Sequence, residues 1–97
     1  MNLLGREKPA SQLVTNGRFE LEQDGLLATL DYTVTGNILA LVHTEIPKDL
    51  RGTGVASTLV QTAFQWARDH QKKVDVVCPF VAAYLETHPE FSDMVLR

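Results

Sequence analysis

Apolar residues recur at every second position through the first half of the chain, then at every third or fourth position through most of the second. Arg18-Phe19-Glu20-Leu21-Glu22 alternates as a half-buried strand does. Asp24-Gly25 is a hairpin signal, because both residues tolerate the positive φ angles of a tight turn. Leu26, Ala28, Leu30, Tyr32 and Val34 then share one face, with Thr29, Asp31 and Thr33 on the other. After a second turn at Gly36-Asn37, residues 38–46 are apolar on both faces at first: Ile38, Ala40 and Val42 on one, Leu39 and Leu41 on the other. That pattern predicts a central strand covered on both sides.

From Gly54 the period changes to that of a helix. Ala56, Leu59, Val60, Ala63, Phe64 and Ala67 form an apolar stripe, and Gln61, Gln65, Arg68 and Asp69 are left to solvent. This helix is predicted to end near His70, followed by a short strand from Val74 to Cys78. Pro79 stands at a favoured first helical position, Val81, Tyr84, Leu85 and His88 share a face, and Pro89 stops the second helix. Residues 91–96 read as a last short strand or as irregular chain. Residues 1–11 are polar and turn-rich and are expected to be loose. The predicted order is β-β-β-α-β-α, an α/β (α+β) fold with a mainly antiparallel sheet flanked by helices, and the 97 residues read as one domain.

Composition narrows the function classes. A net charge of −3 without a clustered basic face argues against nucleic-acid binding. One cysteine excludes an internal disulfide and a four-cysteine zinc site, and His43, His70 and His88 lack metal-ligand spacing, so no metal is expected. No apolar run approaches a membrane span, so a cytoplasmic protein with no membrane partner is expected, either a monomer or a weak homodimer.

The informative stretch is EIPKDLRGTGVAS, residues 45–57, where a strand hands over to a helix through two glycines and an arginine. The first amides of a helix are unpaired and carry positive potential, and glycines let a phosphate approach them. Arg51 adds a cation suited to a phosphate. The Gly-Lys-Ser/Thr of a P-loop is absent, and GTGVAS followed by Asp75 only partly fits a dinucleotide fingerprint, leaving a Rossmann-type nucleotide binder as an alternative. A tight turn with no ligand is the other reading of two glycines so spaced.

Arg51-Gly52-Thr53-Gly54-Val55-Ala56 resembles the Q/R-x-x-G-x-G/A acyl-CoA signature of the GCN5-related N-acetyltransferases, and it stands between a central strand and a helix, as in that family. With His43-Thr44-Glu45-Ile46 and Cys78-Pro79-Phe80, the chain is similar, from about residue 26 to 96, to the small single-domain YjdJ-like branch. The resemblance implies acetyl-CoA as acyl donor, with the coenzyme A pyrophosphate on the loop of Arg51, Gly52, Thr53, Gly54, Val55, Ala56 and Ser57. It also implies a pantetheine arm beside the backbone of Thr44, Glu45 and Ile46, and a following strand that splays away. The acceptor would be an amine, on a small molecule or a protein. Two departures bear on it. The family's pair of helices between the first two strands is missing, which implies a shallow acceptor site. The N-x-x-A…Y-x-x-x-G-F pattern is also missing, and Tyr84 is only an approximate counterpart of its tyrosine.

Amine acylation needs a base, because a lysine-like amine starts near pKa ~10.4. His43 and Glu45 are the candidates. Without a bulge they would share a face with Leu39 and Leu41 and lie roughly 7 Å apart. Cys78 is a candidate acid for the leaving thiolate, a candidate acyl carrier, or a small buried hydrophobe. Tyr84 either donates a proton to the thiolate or only packs. His70 and His88 read as structural, and Trp66 as cover for a sheet edge or a subunit contact. The reading that results is an N-acetyltransferase working by direct attack of the amine on the thioester. A coenzyme A-binding interaction module with little catalysis is the alternative.

Overall fold

A computed structural model describes residues 14–96. The expectation that residues 1–11 are loose lies outside them. Four strands, β1 (Val14–Gln23), β2 (Leu26–Thr35), β3 (Ile38–Glu45) and β4 (Lys73–Val76), form one sheet in the order β1-β2-β3-β4. The first three are an antiparallel meander, and β4 runs parallel to β3. Helix α1 (Val55–Asp69) makes the crossover to β4, and helix α2 (Pro79–Glu86) follows it. A 3-10 turn at Lys48–Leu50 precedes α1, and a 3-10 segment at Pro89–Met94 follows α2.

The turns do what their residues predict. Gln23 pairs with Leu26 across a two-residue loop in which Asp24 and Gly25 have φ of 54° and 77°. Thr35 pairs with Ile38, and Gly36 takes φ 62° at the first loop position. The apolar stripe of α1 (Val55, Leu59, Val60, Ala63, Phe64 and Ala67) is buried against one face of the sheet, where Phe19, Leu30, Tyr32, Leu39, Leu41 and Val74 meet it. Trp66 packs over β1 and β2, its ring 6.3 Å from Phe19 and 6.1 Å from Tyr32. Phe64 stacks on Phe91 at 4.8 Å and ties the C-terminal segment to α1.

Several expectations are corrected. β3 is packed on one face only: Leu39 and Leu41 are fully buried, whereas Val42 on the other side is 40% exposed. No described helix covers that second face, which carries Arg18, Glu20, Asp31 and Thr33, so an apolar run of this length needs only one covering layer. Ala56 is not part of the core stripe; Val55 is. The last strand stops at Val76, and Cys78 is the N-cap of α2. Residues 91–96 form no strand: the 3-10 segment runs through Met94, and Val95 makes an isolated bridge with Val74. Among the described residues β3–β4 is the only parallel pair of strands, and the sheet order is sequential, which does not fit a doubly wound Rossmann arrangement.

Candidate functional site

The site begins with one extra residue. Thr44 pairs with Leu30 and His43 with Asp31, but Leu41 pairs with Tyr32, so Val42 has no opposite number on β2. A bulge of this kind shifts the alternation of side chains by one. Thr44 therefore joins Leu39 and Leu41 on the helix side. His43 and Glu45 turn to the open face, beside Asp31 and Thr29, instead of sharing a face with Leu39 and Leu41. They keep their mutual spacing and lose only the predicted neighbours. Nearby, Arg18 Nε donates to Asp31 Oδ1 at 2.7 Å. That hydrogen bond and the Asp31 charge hold Arg18 above its ordinary pKa, with smaller contributions from Glu20 and Glu45.

The same region is where β3 and β4 part. Their ladder runs from Ile38–Lys73 to Leu41–Val76. The amides of Val77 and Cys78 then both donate to the Leu41 carbonyl, at 3.0 and 2.9 Å, and the ladder stops. Beyond it the Thr44 hydroxyl lies 3.3 Å from the Cys78 sulfur, a side-chain bridge across the mouth of the split.

The split opens on a cleft of about 430 Å³ lined by Thr44, Ile46, Leu50, Arg51, Gly52, Gly54, Ala56 and Phe80. Its end wall is the glycine loop. The Thr53 hydroxyl donates to the Leu50 carbonyl and closes the turn inward. Gly52 and Gly54 have φ of 81° and 92°, and a Cβ on either would meet nothing within 4 Å. Backbone conformation, not crowding, therefore demands glycine, and the space before the loop is open. Gly54 is the N-cap of α1 with no side chain capping it, and Thr58 is the first residue whose amide bonds back, to Gly54 at 3.0 Å. The amides of Val55, Ala56 and Ser57 thus lead a 15-residue helix with its dipole behind them.

The predicted loop residues divide by role. Arg51, Gly52, Gly54 and Ala56 line the cleft with Thr44 and Ile46. Val55 is core, Glu45 faces the other way, and Ser57 bonds to Tyr84. Leu50 and Phe80 were not among the predicted site residues. Leu50 is 2% exposed between two charged residues, and Phe80 is 42% exposed at the start of α2. An apolar residue inside a charged loop and a large aromatic at an exposed helix start are the signals that point to them.

Cys78 is buried, which pushes its thiol up. The Thr44 hydroxyl and the amides of Val81, Phe80 and Thr44 outweigh that effect and leave it below its ordinary value. Tyr84 sits on the face of α2 that meets α1. Its ring stacks on His88 at 3.8 Å and 3°, and its hydroxyl lies 3.0 Å from Ser57 Oγ. His88 Nδ1 is 2.9 Å from the Tyr84 carbonyl.

A model of the GCN5-related N-acetyl-transferase family matches residues 18–94. The chain belongs to this family. Protein NATD1 of human, mouse and chicken is 32% identical over 63 residues, 64% of this chain. The match spans 56% of the human protein and 57% of the other two, so the chain covers less than two thirds of their length. The solution structure of a GCN5-like protein from Staphylococcus aureus superposes with a TM-score of 0.63 at 24% identity, covering 94% of this chain and 87% of that one. It supports the fold. The family's mixed sheet with its following helices is the architecture described above.

Proposed function

We propose that the protein transfers an acetyl group from acetyl-CoA to an amine. The observation that carries this reading is the alignment of three features. The glycine loop with its unpaired helix amides, the apolar cleft, and the split between β3 and β4 form one continuous path. The loop suits a diphosphate, the cleft suits a slender arm, and residues 42–46, at and just beyond the end of β3, offer backbone groups outside the β3–β4 ladder. Coenzyme A has those parts in that order. In this reading Arg51, Gly52, Thr53, Gly54, Val55, Ala56 and Ser57 hold the pyrophosphate, with Thr44, Glu45 and Ile46 along the arm.

The thioester then lies in the split near Cys78. The amine approaches from the open face, where His43 and Glu45 are the proton acceptors. The carboxylates of Glu20, Asp31 and Glu45 on that face suit a cationic amine, small or protein-borne. Attack on the carbonyl carbon expels the coenzyme A thiolate. Cys78 and Tyr84 are the candidates for supplying its proton. Positioning alone contributes much of such a rate, so few dedicated groups suffice.

A titration with acetyl-CoA followed by amide chemical shifts tests this, with NAD and ATP as controls. Saturable shifts are expected from Thr44 to Ser57 and at Cys78; no shifts at millimolar acetyl-CoA would remove the proposal. A second reading, a coenzyme A-binding interaction module, draws on the open face, whose recess of about 580 Å³ beside Val42 has no roof. Binding without thiol release across a panel of primary amines would favour it.

A further inference from the structure

The two edges of the sheet differ. β4 has four residues, and the C-terminal segment lies along it: Val95 bridges to Val74, and the Leu96 amide donates to the Val74 carbonyl at 2.8 Å. β1 has ten residues, and among the described residues nothing pairs with its outer side. Its register with β2 runs unbroken from Val14–Thr35 to Gln23–Leu26. Open edges are ordinarily blunted by a bulge, a proline or a lysine, and β1 has none of these. The hairpin decides which groups it presents. A two-residue loop with both φ positive closes on a hydrogen-bonded pair, here Gln23 and Leu26. Odd-numbered residues of β1 therefore bond to β2, and the N–H and C=O of residues 16, 18, 20 and 22 point outward. The side chains of Arg18, Glu20 and Glu22 stand on the open face.

The charges on this edge fit a second copy of the same edge. In an antiparallel pair of identical strands, a two-fold axis passes through one residue, and outward groups must meet outward groups. Centred on Arg18, the pairing sets Arg18 against Arg18. Centred on Glu20 it sets Glu20 against Glu20, and centred on Leu21 it sets Glu20 against Glu22. Centred on Phe19, it sets Arg18 of each copy against Glu20 of the other and opposes no like charges. Gly17 then faces Leu21 of the other copy, and its lack of a side chain leaves room for that leucine. Arg18 Nε is bonded to Asp31, and two further guanidinium nitrogens remain to meet a carboxylate across the seam. The recess of about 580 Å³ on the open face adjoins this seam, because Gly17, Arg18 and Glu20 line it together with Asp31 and Val42. We propose that two copies of the chain join antiparallel through β1, centred on Phe19, and that each supplies Glu20 as a wall to the other's recess. The pairing does not depend on the acetyltransferase reading; the use of the recess as an acceptor site does.

Sedimentation equilibrium of the full chain tests the pairing. The wild-type mass is expected to rise from 10.8 kDa toward twice that value between about 1 µM and about 1 mM protein. Arg18→Glu sets glutamate against glutamate at both crossings, and Glu20→Arg sets arginine against arginine. Each alone should weaken association by at least about tenfold in Kd. An equimolar mixture of the two variants restores opposite charges at both crossings and should associate as the wild type does. Amide exchange, which needs no variant, should slow at Arg18, Glu20 and Glu22 as the wild type is concentrated. A wild type that stays monomeric, single variants that associate normally, or a mixture that does not associate would each overturn the pairing. Protection of those amides that is independent of concentration would overturn it too, and would assign the edge to residues 1–13 of the same chain. With acetyl-CoA, the KM for a linear diamine should fall as the wild type passes from monomer to dimer. A KM independent of protein concentration would remove the shared recess, and a dimer that turns over no amine would remove the acetyltransferase reading alone.

Discussion

Residues 38–41 and 42–46 belong to one stretch of chain and have different neighbours. The first four are paired on both sides, to β2 and to β4, and Leu39 and Leu41 are fully buried. Past Leu41 the chain loses β4, gains an unpaired residue at Val42, and presents Thr44 to the cleft and His43 and Glu45 to the open face. The first part is held by packing and contributes stability. In the second, the β4 ladder has ended, and the chain runs on without that neighbour. A single extra residue marks the boundary.

The largest expected difference is in stability. Leu41→Ala should cost about 2–5 kcal/mol, the range for a buried leucine, whereas Thr44→Val, three residues on, should barely move the denaturant midpoint. Equal costs would mean that the two parts are not distinct. Next is ligand binding. Deleting Val42 removes the unopposed residue while His43 stays on the open face and Thr44 on the helix side; straightening the strand where it leaves β4 should weaken the acetyl-CoA shifts at the loop by tenfold or more in Kd, about 1.4 kcal/mol. Unchanged binding would show that the bulge does not set the cleft. Gly54→Ala should cost about 1 kcal/mol, because φ of 92° strains any side chain even where a Cβ has room. Acetyl-CoA affinity should fall with it.

The smallest effect is in titration. Cys78 is the one cysteine, so thiolate ultraviolet absorbance reports it directly. Its midpoint should lie below that of a free thiol and rise in Thr44→Val, which removes a hydrogen bond to the ionised form. A folded thiol ionising below its unfolded value adds stability at pH above the unfolded value, and that gain disappears as the pH falls through the folded one. An unmoved midpoint in Thr44→Val would assign the shift to the α2 amides instead.

Much of this was legible in the alternation of residues. Both hairpins, the buried stripe from Leu59 to Ala67, and the glycine loop before a helix follow from local rules that the fold obeys. What was not legible depends on counting across strands. Nothing in LVHTE marks Val42 as unopposed, because a bulge is a relation between β2 and β3 and not a property of either. For the same reason the companions of His43 and Glu45 were misplaced. Ala56 reads as core by spacing, yet the first turn of α1 packs through Val55 and leaves Ala56 lining the cleft. Gln61 is exposed, as its spacing predicts, but its hydrogen bond to Tyr84, 23 residues away, cannot be read from local pattern.

The two-residue turn at Asp24–Gly25 has a practical consequence. It joins β1 to β2 next to a surface recess shared by Gln23, Thr53, Gly54 and Thr58, so the hairpin tip lies alongside the glycine loop. A designer could splice an acceptor-recognition segment there without touching the core. Lengthening a surface connection is cheap, about 0.6 kcal/mol per doubling of its length. Selectivity for a chosen amine would then become a grafted module on this small scaffold.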